Sequence, residues 1–120
     1  MHLSKEIEHW IQDLRYSEDF IIVEGKNDKA ALEMFGITNV LILNKQPLYQ
    51  LVENLSNEEK SVIILTDLDR KGRELYGKLN TNLKKYGVRV NDKPRNFLFK
   101  RTKLRQIEGL PSYFEKVLVA

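Results

Sequence analysis

The chain has 120 residues, which fits one domain with one hydrophobic core, so we treat residues 1–120 as a single domain. Hydrophobic residues make up 42% of the chain and charged residues 31%, a balance typical of a folded globular protein. The chain has no cysteine, which excludes disulfides and cysteine-ligated zinc and leads us to expect a cytoplasmic location. No apolar run approaches the roughly 20 residues of a transmembrane helix, so we expect no membrane partner.

The formal charge of +3 is distributed unevenly along the sequence. Residues 93–105, here called the basic segment, hold six Lys or Arg residues and no acidic residue. Phe97 and Phe99 lie among these cations and could stack on bases, although packing against the sheet explains them equally well. A local excess of positive charge is typical of a surface that contacts phosphate, so this segment is a candidate contact for nucleic acid.

Short apolar runs predict the strands of a sheet, and amphipathic segments between them predict helices. The predicted strands are residues 20–24, 39–43, 61–66 and 88–90. The predicted helices between them are residues 27–35, 47–55 and 71–86. Because the strands are continuous apolar runs that alternate with helices, they predict an α/β fold with about four mainly parallel strands and helices on both faces.

The two ends of the chain extend this core. Residues 3–15 have the apolar spacing of an amphipathic helix. Residues 91–108 fit either a short helix or an edge strand, and the segment after them fits a final helix. We therefore divide the domain into an N-terminal helix, a core of about residues 18–92, and a basic C-terminal extension at residues 93–120.

Acidic residues follow two of the predicted strands. Glu24 ends the first strand, and Asp67 and Asp69 follow the third. The carboxyl ends of parallel strands lie along one edge of a sheet, where three carboxylates would repel one another unless a cation sat between them. Oxygen ligands without cysteine favour Mg²⁺ or Mn²⁺. A simpler reading stays open, in which Asp69 only caps the next helix and Glu24 is a solvated strand end.

Two segments, IIVEGKNDKAAL and VIILTDLDRKGREL, resemble in this order the two signatures of the Toprim domain. Type IA and type II topoisomerases, bacterial primases, RecR-type recombination proteins and several nucleases share that domain. The resemblance covers about residues 18–92 and implies a compact Rossmann-like fold. The short chain is also similar to small stand-alone Toprim proteins, and its motifs resemble those of the nucleases that mature 5S ribosomal RNA.

The resemblance also implies roles for the acidic residues. Glu24 would act as general acid or base, and Asp67 and Asp69, together with Glu24, would bind Mg²⁺ or Mn²⁺. Gly25 would let the backbone approach the substrate closely. Cations next to the acidic residues and in the basic segment are candidate ligands for substrate phosphate. They are Lys26, Arg70, Lys100, Arg101 and Lys103.

Two functions fit these features. The first is metal-dependent phosphodiester chemistry on RNA or DNA, by a small Toprim nuclease or the catalytic subunit of one. The second is a non-catalytic Toprim-like module that binds nucleic acid or a partner protein. The complete set of Glu24, Asp67 and Asp69 favours the enzyme, and the little room left for a second domain favours the binding module.

Overall fold

The computed structural model of the chain describes residues 2–43 and 46–119. Its elements, in chain order, are α1 (Leu3–Tyr16), β1 (Phe20–Val23), α2 (Lys26–Glu33), β2 (Val40–Ile42), α3 (Leu48–Ser56), β3 (Val62–Ile64), α4 (Arg70–Lys85), α5 (Lys93–Arg101) and α6 (Leu110–Val119). The strands form one parallel sheet in the order β2–β1–β3. The predicted α/β fold with a parallel sheet is therefore confirmed.

Side chains from each strand pack into two cores, one on each face of the sheet. Ile21 and Val23 of β1 face the first core, which α1, α2, α5 and α6 cover. Ile22 faces the second core, which α3 and α4 cover. All three side chains are fully buried. Burial on both faces explains why the strands read as continuous apolar runs rather than as an alternation of apolar and polar residues.

The prediction of a fourth strand at residues 88–90 was wrong, because the described residues form three strands. Val90 makes only an isolated parallel bridge with Val62 at the edge of β3. The Val62 N–H donates to the Arg89 carbonyl at 2.8 Å, and the Asn91 N–H donates to the Val62 carbonyl at 2.8 Å. Pairing then stops because the chain turns into α5, where Pro94 lies in the first turn.

The ambiguous region at residues 91–108 is helical in its first half, as α5, and ends in a 3₁₀ turn at Ile107–Gly109. The N-terminal helix predicted at residues 3–15 is α1, and it packs against α5. The Trp10 Nε1–H donates to the Pro94 carbonyl at 3.0 Å, and the Trp10 ring stacks on Phe97 with 6.3 Å between ring centroids.

Within the described residues, every helix is too short or too polar to cross a membrane.

Residues 66–72, which lead from the end of β3 into the first turn of α4, form a tight turn that we call the acidic turn. The buried Thr66 hydroxyl donates to the Gly72 carbonyl at 2.7 Å. Asp69 caps α4, because its Oδ1 accepts the Gly72 N–H at 2.8 Å. A Cβ atom on Gly72 would lie 1.9 Å from the Asp67 carbonyl oxygen, so the turn can close only over a glycine.

The two glycines of α4 provide a matched test of this packing. We expect Gly72→Ala to destabilise the protein by at least the roughly 1–3 kcal/mol of an overpacked site, because its methyl group would collide with rigid backbone. Gly77→Ala should instead stabilise it by about 0.5–1 kcal/mol, because nothing lies within 4 Å of that site and alanine favours a helix. Urea unfolding measures both changes, and equal effects would contradict the close contact at Gly72.

Candidate metal and phosphate site

The structure brings the acidic ends of β1 and β3 together. These strands are neighbours in the sheet, and Ile22 of β1 pairs with Ile64 of β3. One carboxylate oxygen of Glu24, Oε2, accepts the backbone N–H of Asp67 at 2.7 Å. The parallel register therefore places the Glu24 carboxylate against the first residue of the Asp-x-Asp motif, at the edge of the sheet that the sequence predicted.

Each aspartate of the motif also gives one oxygen to a backbone N–H. Asp67 Oδ1 accepts the Ile107 N–H at 2.9 Å, and Asp69 Oδ1 accepts the Gly72 N–H at 2.8 Å. Asp69 therefore caps α4, the simpler role that the sequence left open. Capping uses only one oxygen, so it does not exclude a second role for the other.

Burial and mutual repulsion act together on these acids. Burial raises the pKa of Glu24, and the charges of Asp67, Asp69 and Asp28 raise it further, while the hydrogen bond from the Asp67 N–H opposes them. Burial also raises the pKa of Asp28, partly offset by the Gly25 N–H, which donates to Asp28 Oδ2 at 3.0 Å. Negative charge at this edge is therefore costly, and a bound cation would reduce that cost.

An open cleft of ≈ 550 Å³ lies beside Glu24, Asp28 and Asp67, whereas Asp69 is not among the residues that line it. Its polar lining combines carboxylates, including Glu24 and Asp67, with the amines of two lysines, Lys26 and Lys71. The lysines come from the first turns of α2 and α4, and both are exposed. Within residues 2–43 and 46–119, neither lysine forms an ion pair, so both amines are available to bind an anion.

The chemistry of this donor set fits Mg²⁺ or Mn²⁺. Glu24, Asp67 and Asp69 supply only hard oxygen ligands, and each gives one oxygen to a backbone N–H and keeps the other. As placed, no three His, Cys, Asp or Glu side chains of the described residues form a ready-made metal cluster. Mg²⁺ does not require one, because it usually takes one or two carboxylates and keeps several waters.

The other predicted phosphate ligands lie in different surroundings. Arg70 does not line the cleft and pairs with Glu74 at 3.4 Å on the exposed face of α4. Arg101 makes a two-pronged ion pair with Glu6 of α1, at 2.9 and 2.7 Å. Lys100 and Lys103 are exposed and stay candidates for contact with a longer substrate.

Gly25 lines the cleft, and its role in letting a substrate approach stays a prediction. Its φ of −145° is extended backbone that any residue can adopt, so the turn itself does not require glycine. Its N–H donates to Asp28 Oδ2, which ties the start of α2 to the end of β1.

Sequence reasoning missed two residues of this region. Lys71, rather than its neighbour Arg70, lines the cleft, and the spacing of the two residues on α4 could have distinguished their faces. Arg95 was counted only as one of the cations of the basic segment, yet it is buried and donates to the acidic turn. Nothing local in the sequence marks it, because its partners lie 28 and 29 residues earlier.

Comparisons with known proteins agree with the geometry. Residues 19–99 match the Toprim domain family. A UPF0292 protein of Methanocaldococcus jannaschii is 39% identical over 102 residues, covering 82% of this chain and 80% of that protein. A UPF0292 protein of Pyrococcus horikoshii is 39% identical over 116 residues, covering 94% of this chain and 87% of that protein.

A solved structure of a protein from Aquifex aeolicus has the same fold, with a TM-score of 0.80 and 38% identity over 85% of this chain and 95% of that chain. The relatives are small proteins that this chain covers over most of their length, which agrees with the resemblance to stand-alone Toprim proteins. The chain therefore belongs to the Toprim domain family.

Proposed function

We propose that this protein carries out Mg²⁺-dependent or Mn²⁺-dependent phosphodiester chemistry on nucleic acid, as a small nuclease or as the catalytic subunit of one. Membership of the Toprim family indicates a metal-dependent function related to nucleic acid. The observation that supports the finer proposal is the Glu24 carboxylate, held against Asp67 in a cleft that also holds two lysines without ion pairs to the described residues.

In this proposal, Asp67, Asp69 and Glu24 bind the metal ion. A bound Mg²⁺ would polarise a phosphoryl oxygen and stabilise negative charge on it. Glu24 also transfers a proton, to or from the attacking water or the leaving 3′ oxygen of the scissile bond.

Lys26 and Lys71 bind the substrate phosphates. They line the cleft together with the acids, so a phosphate beside the metal ligands lies within reach of a lysine from α2 and a lysine from α4. Such contacts attract the backbone of any nucleic acid strand and carry no sequence information. Exposed cations of the basic segment, Lys100 and Lys103, would extend this contact to more distant phosphates.

A cleavage assay tests the enzymatic proposal directly. Purified protein is incubated with mixed single-stranded and duplex RNA and DNA, with and without Mg²⁺ or Mn²⁺. We expect metal-dependent cleavage by the wild type and none by Glu24→Gln, because the amide cannot transfer the proton. Metal-dependent binding without cleavage of any substrate would refute the nuclease and support the binding module.

Asp67→Asn with Asp69→Asn tests the metal ligands separately from catalysis. Asparagine keeps an oxygen for each backbone N–H and is a good helix cap, so the double variant loses charge but keeps these hydrogen bonds. At a hundredfold excess over its dissociation constant, Mg²⁺ should add about 2.7 kcal/mol to the stability of the wild type, a rise of roughly 10 °C in melting temperature. The double variant should show no rise.

The control for this melt is Asp13→Asn with Asp92→Asn, which removes two exposed charges outside the cleft. This control should respond to Mg²⁺ as the wild type does. An equal rise in melting temperature for the Asp67 and Asp69 variant would refute the assignment of these residues as ligands.

Lys71→Gln and Arg70→Gln compare two adjacent cations of α4, one inside the cleft and one outside it. If Lys71 neutralises one phosphate, its loss should weaken binding and flatten the slope of log K against log salt by about 0.7 for a single strand or about 0.9 for a duplex. Arg70→Gln should change the slope much less. Fluorescence anisotropy at several salt concentrations measures both, and equal slopes for the two variants would contradict the role of Lys71.

A further inference from the structure

We propose that Arg95 is a positioning residue of this site, which holds the Asp67 backbone so that the Asp67 side chain can bind the metal ion. The proposal rests on the proposed function for the identity of the ligand. Arg95 lies on α5, which contacts β3, and its guanidinium donates to the acidic turn. Arg95 is buried and does not line the cleft, so its effect would pass through Asp67.

The contacts of Arg95 converge on the two consecutive peptide groups that flank the Asp67 side chain. Its Nη1 donates to the Thr66 carbonyl and, at 3.0 Å, to the Thr66 hydroxyl. Its Nη2 donates to the Asp67 carbonyl at 3.0 Å. The planar guanidinium therefore binds the carbonyl groups on both sides of Asp67 with two nitrogens in fixed relation, which a lysine amine cannot do.

Three further hydrogen bonds hold the same short stretch from other directions. The Asp67 N–H donates to Glu24, the Leu68 N–H donates to the Arg105 carbonyl at 2.7 Å, and the Ile107 N–H donates to Asp67 Oδ1. Together with Arg95, they fix the backbone on both sides of Asp67 and one oxygen of its carboxylate. The other carboxylate oxygen is thereby left in a defined direction for a ligand.

Burial of Arg95 needs an explanation, because arginine is rarely buried without a partner. The side chain is only 6% exposed, and its guanidinium lies 4.8 Å from the centre of the Tyr76 ring. Among the described residues it makes no salt bridge with a carboxylate. Its charge is instead compensated by carbonyl dipoles, by the ring face and, at longer range, by Glu24 and Asp67.

Loss of the Arg95 charge and loss of its hydrogen bonds predict opposite changes in metal affinity, which makes the proposal testable. A positive charge near the site repels Mg²⁺, so removing it without other change would tighten binding. Loss of the two-pronged contact would loosen Asp67 and weaken binding, and outer partners of metal ligands typically contribute tenfold to a hundredfold in affinity. Arg95→Lys separates the two effects, because it keeps the charge and loses the geometry.

The experiment compares Arg95→Lys with Arg101→Lys, a matched change on the same helix at an exposed residue that pairs with Glu6. Without metal, amide hydrogen exchange is measured at Asp67 and Ile107. With metal, Mn²⁺ binding is measured by electron paramagnetic resonance, and Mg²⁺ by competition. We expect Arg95→Lys to speed exchange at both amides and to weaken Mn²⁺ binding at least tenfold, and Arg101→Lys to change neither.

Unchanged exchange at both amides would overturn the proposal, and so would unchanged metal affinity in an Arg95→Lys protein whose exchange is faster. If the wild type binds neither metal, the metal assignment in the proposed function fails. The exchange measurement then still decides whether Arg95 holds Asp67. If Arg95→Lys does not fold, Tyr76→Leu, which removes the ring over the guanidinium, replaces it in the same two measurements with the same expected direction.

Discussion

The parallel pairing of β1 with β3 is the constraint on which the rest of the structure depends. Because the two strands run side by side in the same direction, the residues that follow them leave the sheet at one edge, and in this chain those residues include Glu24, Asp67 and Asp69. The pairing gains its stability from apolar side chains in the two cores, and these side chains do not offset the charges. The repulsion between Glu24 and the aspartates is therefore imposed by the fold, and the residues around them must compensate for it.

That compensation comes mostly from the backbone. Glu24, Asp67 and Asp69 each accept a backbone N–H, and Asp28 accepts another from Gly25. These donors lower the cost of the negative charges but, as the raised pKa of Glu24 shows, do not remove it. The acids are thus held in a defined arrangement while the repulsion between them is only partly offset, a condition that favours binding of a cation from solution.

Much of this could be predicted from sequence because the signals were local. Apolar runs interrupted by helical spacing gave the parallel sheet, and a Glu and two Asp directly after strands gave the acidic edge. The prediction of a fourth strand was wrong because the sequence does not show where strand pairing stops. The apolar residues Val88 and Val90 do face the second core, but the chain turns into α5 before a ladder can form.

Helix α5 was ambiguous for a different reason. It buries an arginine, Arg95, and leaves Phe99 half exposed, so its hydrophobic pattern does not follow its burial. Arg95 was for the same reason interpreted by its charge alone. Counting charges along a segment cannot distinguish a solvated cation from one that binds carbonyl groups 28 residues away, because that difference arises from tertiary packing.

The hydrogen bond from the Ile107 N–H to Asp67 lets the chain after α5 orient the Asp67 carboxylate. Substitutions at residue 107 would hardly reveal this role. The donor is a backbone N–H, which every residue except proline supplies, and it lies outside residues 19–99 that match the family. Side chains at this position can change while the orientation of Asp67 is retained. A change in the length of the segment between α5 and Ile107, in contrast, would move the donor N–H away from Asp67. Loop length, rather than residue identity, is therefore the feature that a designer grafting this domain would need to preserve.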